Sequence, residues 1–303
     1  MMASPHEAPT LPPLPLKEWE DTKETLHRHC QIAGKVRMEY SPYRNHWWNV
    51  TLYVTTRGLT TGPIPYGRTT FDISFDLLEN RLVVTTGEGA FSFALDDLPV
   101  AEFYRRLFEG LRSLEIDASI NPEPFGLDDE HTLDANAYHC TCAEGYVRRY
   151  HHVLGWVDQV FKEFAGRFNG KTSPVQLYWH SFDLAVTRFS GRRAPVRSGA
   201  DPVTREAYSH EVISFGFWPG DPSFREPAFY SYTAPEPEGL TEQPLHPPAA
   251  SWQEGGTALL TYEEVRSSAS PRETLLGFLQ SAYEAGAKTA GWDVEEFRAG
   301  DAV

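Results

Sequence analysis

Apolar and polar positions along this chain form two blocks, and each block predicts a helix, four strands and a second helix. In the first block, apolar residues at helical spacing predict a helix from Leu16 to about Met38. An apolar stripe from Val100 to Leu111 predicts the closing helix, with Asp97 as its N-cap. Between them, segments with strand character are Trp48–Leu59, Thr70–Leu77, Arg81–Thr86 and Ala90–Leu95. The glycine- and proline-rich residues 62–67 predict a loop.

The second block repeats this order. A long apolar stripe from Cys142 to Asn169 predicts its first helix, which Gly170 would end. A final helix is predicted to begin at Ser270 and Pro271. The predicted strands are Val175–Phe189, His210–Phe217, Ala228–Thr233 and Thr257–Tyr262. Residues 190–209 and 234–256 predict long loops, which mark either a binding face or neutral variation in length.

One segment occurs in both blocks. Trp48–Arg57 and Trp179–Arg188 each start with Trp and end with Thr-Arg, which indicates a duplicated unit. We therefore expect an α+β fold of two pseudo-equivalent helix–four-strand–helix units. Their antiparallel sheets would join edge to edge or pack through a common interface. The predicted boundaries are a flexible Pro-rich lead at 1–15, units at 16–116 and 138–292, a linker at 117–137 and a tail at 293–303.

Composition narrows the class of protein. The chain has 303 residues, 41% of them hydrophobic, and a formal net charge of −15. This charge argues against nucleic acid and anionic membranes as partners, since both attract clustered Lys and Arg. Three cysteines are too few, and odd in number, for a disulfide framework, and no apolar run approaches the length of a membrane span. We expect a cytoplasmic protein.

Residues that bind metals or cofactors are present only in weak patterns. His180 and Asp183, with His210 and Glu211, are the candidate metal ligands. Within one strand, however, His180 and Asp183 would point to opposite faces. The cluster His139–Cys142 has no matching pair elsewhere. There is no Gly-rich phosphate loop, nucleophile elbow or recognisable triad order. We predict neither a metal site nor a cofactor.

Asp183 is the residue at which the two repeats differ most in character. The overlay matches it with Leu52, so that one unit has a carboxylate where the other is apolar. A carboxylate that faces a packed interior must be paired or hydrogen-bonded. Two alternatives remain open: a structural ion pair with an arginine, or an acid that contacts a ligand. The candidate arginines are Arg57, Arg188 and Arg192.

Our leading functional hypothesis is a small-molecule pocket for a polar or anionic metabolite at the junction of the two units. The predicted lining residues are Trp47, Trp48, Asp183, Arg188, Arg192, His210, Glu211 and Trp218. Aromatic rings beside a few polar groups are typical of such pockets, and also of sheet–helix packing. If the site is catalytic, His210 is the candidate general base, oriented by a carboxylate other than Glu211. The alternatives are a non-catalytic protein-interaction module or homodimer scaffold, and a metal-dependent hydrolase.

Several long motifs resemble those of a bacterial domain family of unknown function. The motifs are Asn45–Thr55, Gly62–Gly67, Ser181–Arg192, Glu206–Glu211 and Gly216–Gly220. The resemblance extends from about Leu14 to Trp292. It implies that one family domain covers nearly the whole chain, and it brings no activity, substrate or catalytic residue.

Overall fold

The computed structural model describes residues 11–139, 143–196 and 198–299. Within these ranges the α-helices are α1 Glu20–Tyr40, α2 Val100–Ser113, α3 Glu144–Gly166, α4 Pro202–Ala207, α5 Tyr262–Arg266 and α6 Pro271–Thr289. Residues 1–10 of the predicted lead, Cys140 and Cys142, and residues 300–303 of the predicted tail lie outside the described residues.

Two antiparallel sheets confirm the predicted α+β class. The first contains β1 Tyr53–Val54, β2 Gly58–Thr60, β3 Ile64–Tyr66, β4 Thr69–Asp76, β5 Arg81–Thr86 and β6 Ala90–Ala94. The second contains β7 Gln176–Tyr178, β8 Asp183–Arg193, β9 His210–Trp218, β10 Ala228–Ala234, β11 Ser251–Trp252 and β12 Ala258–Thr261. The strand orders are β1-β2-β4-β5-β6, with β3 beside β4, and β7-β8-β9-β10-β12-β11.

The two sheets meet edge to edge at a single pair of residues in the described chain. The backbone N–H of Leu52 donates to Leu177 at 2.9 Å, and that of Leu177 donates back at 2.8 Å. Beside this bridge, the hydroxyl of Thr51 donates to the side-chain oxygen of Gln176 at 2.8 Å. Both sheets run outward from the bridge, and every neighbouring pair of strands in them is antiparallel. The internal duplication itself stays a prediction.

One continuous apolar core extends through both sheets and the longer helices. On the second sheet, α3 and α6 cover the face from which Leu184, Val186 and Phe215 project. Phe164 of α3 packs edge-on against Phe215, with ring centroids 4.8 Å apart. The other face of this sheet therefore stays free of these two helices, and it forms the floor of the candidate site.

Neither of the two tryptophan segments is the continuous strand that we predicted. His46 and Trp47 have left-handed backbones (φ 58° and 59°), and the chain forms a short 3₁₀ turn before β1. The second segment is divided by a turn at residues 179–182, with Phe182 at φ 59°. The cause is packing, since the ring of Trp179 lies against α1 and its Nε1 donates to Val50 at 2.7 Å.

Four further local predictions were wrong. Residues 62–67 contain strand β3, which tolerates Pro65 because it pairs on one side only, with β4. Asp97 does not cap α2; instead, the first N–H groups of α2 donate to the backbone carbonyls of Tyr138 and Asn136. The first helix of the second block ends at Gly166, not at Gly170. The predicted loop 190–209 also contains α4.

Candidate functional site

The alternation of side chains along β8 decides which groups face the candidate site. Asp183, Ala185, Thr187 and Phe189 project from one face, whereas Leu184, Val186 and Arg188 project toward the helices. On the neighbouring strands, the corresponding residues on the site face are Val212, Ser214, Tyr230 and Tyr232. This face combines hydroxyl groups, aromatic rings and one carboxylate.

A cavity of about 640 Å³ lies over this face. Its walls come from the end of α1, the loop 46–50, residues 121–125, the turn 178–181 and helix α4. Tryptophan rings at positions 47, 48 and 179 supply much of the apolar lining. The volume and composition are those of sites that hold small organic molecules. The second half of the chain therefore supplies the floor of the cavity, and residues of the first half close it.

Asp183 lies on the cavity floor, buried, and hydroxyl groups hold its carboxylate. Ser181 donates to one carboxylate oxygen and Tyr230 to the other. In the described chain no arginine lies within ion-pair distance of Asp183, so the predicted arginine partner is wrong. Burial, and then the Asp183 carboxylate, raise the pKa of Tyr230 well above its ordinary value, so that Tyr230 stays protonated and donates.

Gly216 makes the contact between Tyr230 and Asp183 possible. Strand pairing sets Tyr230 opposite Gly216, and Gly216 opposite Ala185. A Cβ atom on Gly216 would lie 2.2 Å from the ring of Tyr230. The tyrosine ring thus lies across β9, and its hydroxyl reaches Asp183 two strands away. Two small residues on adjacent strands position the phenol that orients the carboxylate.

Lys35 brings the opposite charge into the same cavity. It lies on α1, and only 5% of its surface is exposed. Its ammonium group lies 5.8 Å from the ring centre of Trp179. Burial lowers the pKa of Lys35, while the more distant carboxylate of Glu123 opposes this shift. Within the described ranges, Lys35 makes neither a side-chain hydrogen bond nor an ion pair.

A second cluster of polar residues surrounds His46 at the cavity wall. The imidazole Nδ1 lies 3.2 Å from the backbone carbonyl of Glu206, which can only accept, so Nδ1 carries the proton. Nε2 is then an acceptor, and Lys171 donates to it at 2.7 Å. Burial, and then the Lys171 charge, lower the pKa of His46. Its left-handed backbone is held by the carboxylate of Glu206, which accepts from the His46 N–H at 3.3 Å.

His210, the candidate general base, lies beside this cluster of polar residues. Its ring centre is 5.5 Å from that of His46, and Ser209 is its hydrogen-bond partner at 3.1 Å. Burial lowers the pKa of His210, and the charges of Lys171 and Arg193 lower it further. Among the described residues, no carboxylate accepts a hydrogen bond from His210 in the manner we predicted for a general base.

Five of the eight predicted lining residues do not line the cavity: Arg188, Arg192, His210, Glu211 and Trp218. Arg188 projects from the helix face of β8, where its guanidinium lies 3.6 Å from the ring centre of Phe164. Arg192 and Glu211 form an ion pair at 2.7 Å near Trp292, on the helix side of the sheet. Trp218 is at the end of β9, with its ring centre 5.5 Å from that of Tyr230. Trp47, Trp48 and Asp183 do line the cavity.

His180 and Asp183 both border the cavity, because His180 lies in the turn before β8 and not in the strand. Contrary to the prediction, the two side chains therefore do not point to opposite faces of one strand. Even so, among the described residues no three His, Cys, Asp or Glu side chains are grouped closely enough to hold a metal ion. None of the helices in the same residues has the length and apolar content of a membrane span.

Five residues that line the cavity were not predicted from the sequence: Lys35, His46, Tyr178, Tyr230 and Tyr232. A signal was present for the tyrosines, since Tyr230 and Tyr232 alternate with Phe229 and Ser231 along one strand. Lys35 gave no such signal, because a lysine in a helix pattern is normally solvated.

These features define a two-sheet α+β protein with a buried, charged cavity on one sheet face. Residues 11–299 match the family of unknown function DUF5996, and the chain belongs to this family. The comparisons with curated proteins and with solved structures each gave no significant match.

Proposed function

We propose that the protein binds a small organic molecule in the cavity over β8, β9 and β10. The observation that carries this proposal is the enclosure of both Lys35 and Asp183 in one aromatic-walled space of about 640 Å³. Apolar rings would supply most of the affinity, and the few polar groups would fix the orientation. Catalysis by His210 is not part of the proposal.

The concave shape favours a pocket over a protein-docking surface. Large exposed apolar side chains in the described chain are few and scattered: Tyr43, Phe125, Val196 and Val203. Phe125 and Val203 themselves border the cavity. A protein-interaction site would instead present a contiguous apolar patch of several hundred Å². The homodimer therefore has less support than the pocket.

We also propose a cytoplasmic setting. The low cysteine content and the net charge of −15 support it. Cys30 is a free, fully buried thiol, which is compatible with a reducing compartment.

The neutral fluorophore N-phenyl-1-naphthylamine tests the pocket, since its emission rises when it leaves water. We expect saturable binding to the wild-type protein. Ala207→Trp, which fills the cavity from the short surface helix α4, should abolish this binding. Arg205→Trp, on the exposed side of the same helix, is the matched control and should bind normally. Equal binding by both variants would contradict the proposal.

A further inference from the structure

Lys35 and Lys23 form a natural pair for comparison, because both lie on α1 and both are about equally buried, at 5% and 4% exposed. Lys23 has two hydrogen-bond partners. Its ammonium lies 2.6 Å from the carboxylate of Glu24 and 3.1 Å from the carbonyl of Gly220. Lys35 has no corresponding partner in the described chain. A buried ammonium without a partner is costly and uncommon.

The surroundings of the Lys35 side chain indicate which kind of group would pair with its ammonium. The residue lines the cavity, and its ammonium is reached by the face of Trp179 and by the remote charge of Glu123. No ion pair forms between Lys35 and Asp183, although both border the same space. The cavity thus contains a buried ammonium and a buried carboxylate separated by aromatic lining, while the carboxylate of Asp201, which also borders it, caps helix α4.

We propose that Lys35 is the anion-binding residue of the cavity, and that the ligand is an amphipathic organic anion. This inference rests on the proposed function. A carboxylate, sulfonate or phosphate group of the ligand pairs with Lys35, and its ring or hydrocarbon body lies among Trp47, Trp48 and Tyr178. A hydroxyl or amino group at the far end can donate to the remaining lone pairs of Asp183.

Two fluorescent probes with the same ring skeleton distinguish this proposal from the proposed function, the binding of a small organic molecule. 8-Anilinonaphthalene-1-sulfonate has an anionic group that N-phenyl-1-naphthylamine lacks. In Lys35→Met, we expect the Kd of the sulfonate probe to rise about tenfold, as for loss of one charge-assisted hydrogen bond. The Kd of the neutral probe should stay within about twofold, because methionine keeps the apolar stem. Lys35→Arg should restore binding of the sulfonate probe.

Lys23→Met is the matched control, because it removes an equally buried lysine that does not line the cavity. It should leave both Kd values unchanged. If Lys35→Met leaves the sulfonate probe unaffected, or weakens both probes equally, Lys35 is not the anion-binding residue. If the neutral probe does not bind the wild-type protein at all, the proposed function fails instead.

Discussion

The amine of Lys171 lies 2.7 Å from Nε2 of His46, and the imidazole accepts its hydrogen bond. Glu206 fixes this arrangement, since its backbone carbonyl accepts a hydrogen bond from the N–H at Nδ1 of His46. The Lys171 ammonium also lies 4.7 Å from the ring centre of Phe189 and 5.3 Å from that of Trp48. A neutral imidazole is thereby held at the cavity wall in one defined tautomer.

Lys171→Met should raise the pKa of His46. The substitution removes a positive charge and also the donor that stabilises the neutral ring. The pKa of His210 should rise as well, because the Lys171 charge lowers it. NMR titration of the histidine ring signals measures both values. Lys288→Met, at a distant hydrogen bond to Gln243, is the control and should move neither. A fall in the pKa of His46 would contradict the assigned geometry.

Lys35→Met should stabilise the ligand-free protein at pH 7, by on the order of 1 kcal/mol, because it removes an unpaired buried charge. Burial lowers the folded-state pKa of Lys35 below the unfolded value of about 10.4. The penalty is therefore complete below the folded pKa, and it disappears as pH rises to the unfolded value.

Urea denaturation at neutral and alkaline pH measures this difference between Lys35→Met and wild type. Lys23→Met should behave in the opposite way at neutral pH and destabilise the protein, since it breaks the contacts with Glu24 and Gly220. A loss of stability in Lys35→Met at pH 7 would show that the ammonium has a partner within the protein.

Tyr230→Phe should cost about 1–3 kcal/mol of unfolding free energy, because it removes a donor from the buried Asp183 carboxylate. Tyr283→Phe is a matched control. The hydroxyl of Tyr283 is buried and has no hydrogen-bond partner among the residues that the structure describes, so its removal should be neutral or slightly stabilising. Chemical denaturation followed by circular dichroism distinguishes the two. Equal effects would mean that the Tyr230–Asp183 contact contributes nothing.

Arg188→Met should leave the Kd of both naphthyl probes within about twofold of wild type, because Arg188 projects from the opposite face of the sheet. Its guanidinium lies against Phe164 and Tyr283, and burial lowers its pKa to about 9. Fluorescence titration of the folded variant is the measurement. Weaker binding of the sulfonate probe alone would place Arg188 in the site after all.

Gly34→Ala should destabilise the protein by about 1–3 kcal/mol, because its Cβ would lie 2.2 Å from the ring of Trp179. Gly155→Ala in α3 has nothing within 4 Å of the new Cβ, and should gain up to about 1 kcal/mol from helix propensity. Denaturation with tryptophan fluorescence measures both. Binding of the neutral probe should also weaken in Gly34→Ala, since Trp179 lines the cavity.

The local sequence pattern was sufficient to predict the bounds of a helix or strand where one face of that element packs on its own unit. The bounds of β5 match the prediction residue for residue, and β4, β6, α2 and α6 differ by a few residues. It failed at Trp48 and Trp179, because contacts between the two halves decide the backbone there. The bond from Trp179 to Val50 joins residues 129 positions apart, which no local pattern reveals.

Three of the predicted lining residues, Trp47, Trp48 and Asp183, do border the cavity. Asp183 was indicated by a carboxylate in an otherwise apolar strand pattern, and the two tryptophans by their place among hydrogen-bonding residues. The same two-residue alternation that grouped Asp183 with Ala185 also separates Asp183 from Arg188, five positions later. Lys35 could not be found in this way, since its burial depends on how α1 packs against the turn that contains Trp179.

The bridge between Leu52 and Leu177 has a mechanical consequence. In the described chain, main-chain pairing between the sheets is confined to this bridge, so the angle between them depends on side chains packed across it, such as Trp179 on α1 and Thr51 on Gln176. Substitutions of these side chains would therefore change the spacing between Lys35 and Asp183, and with it the length of molecule that the cavity can hold.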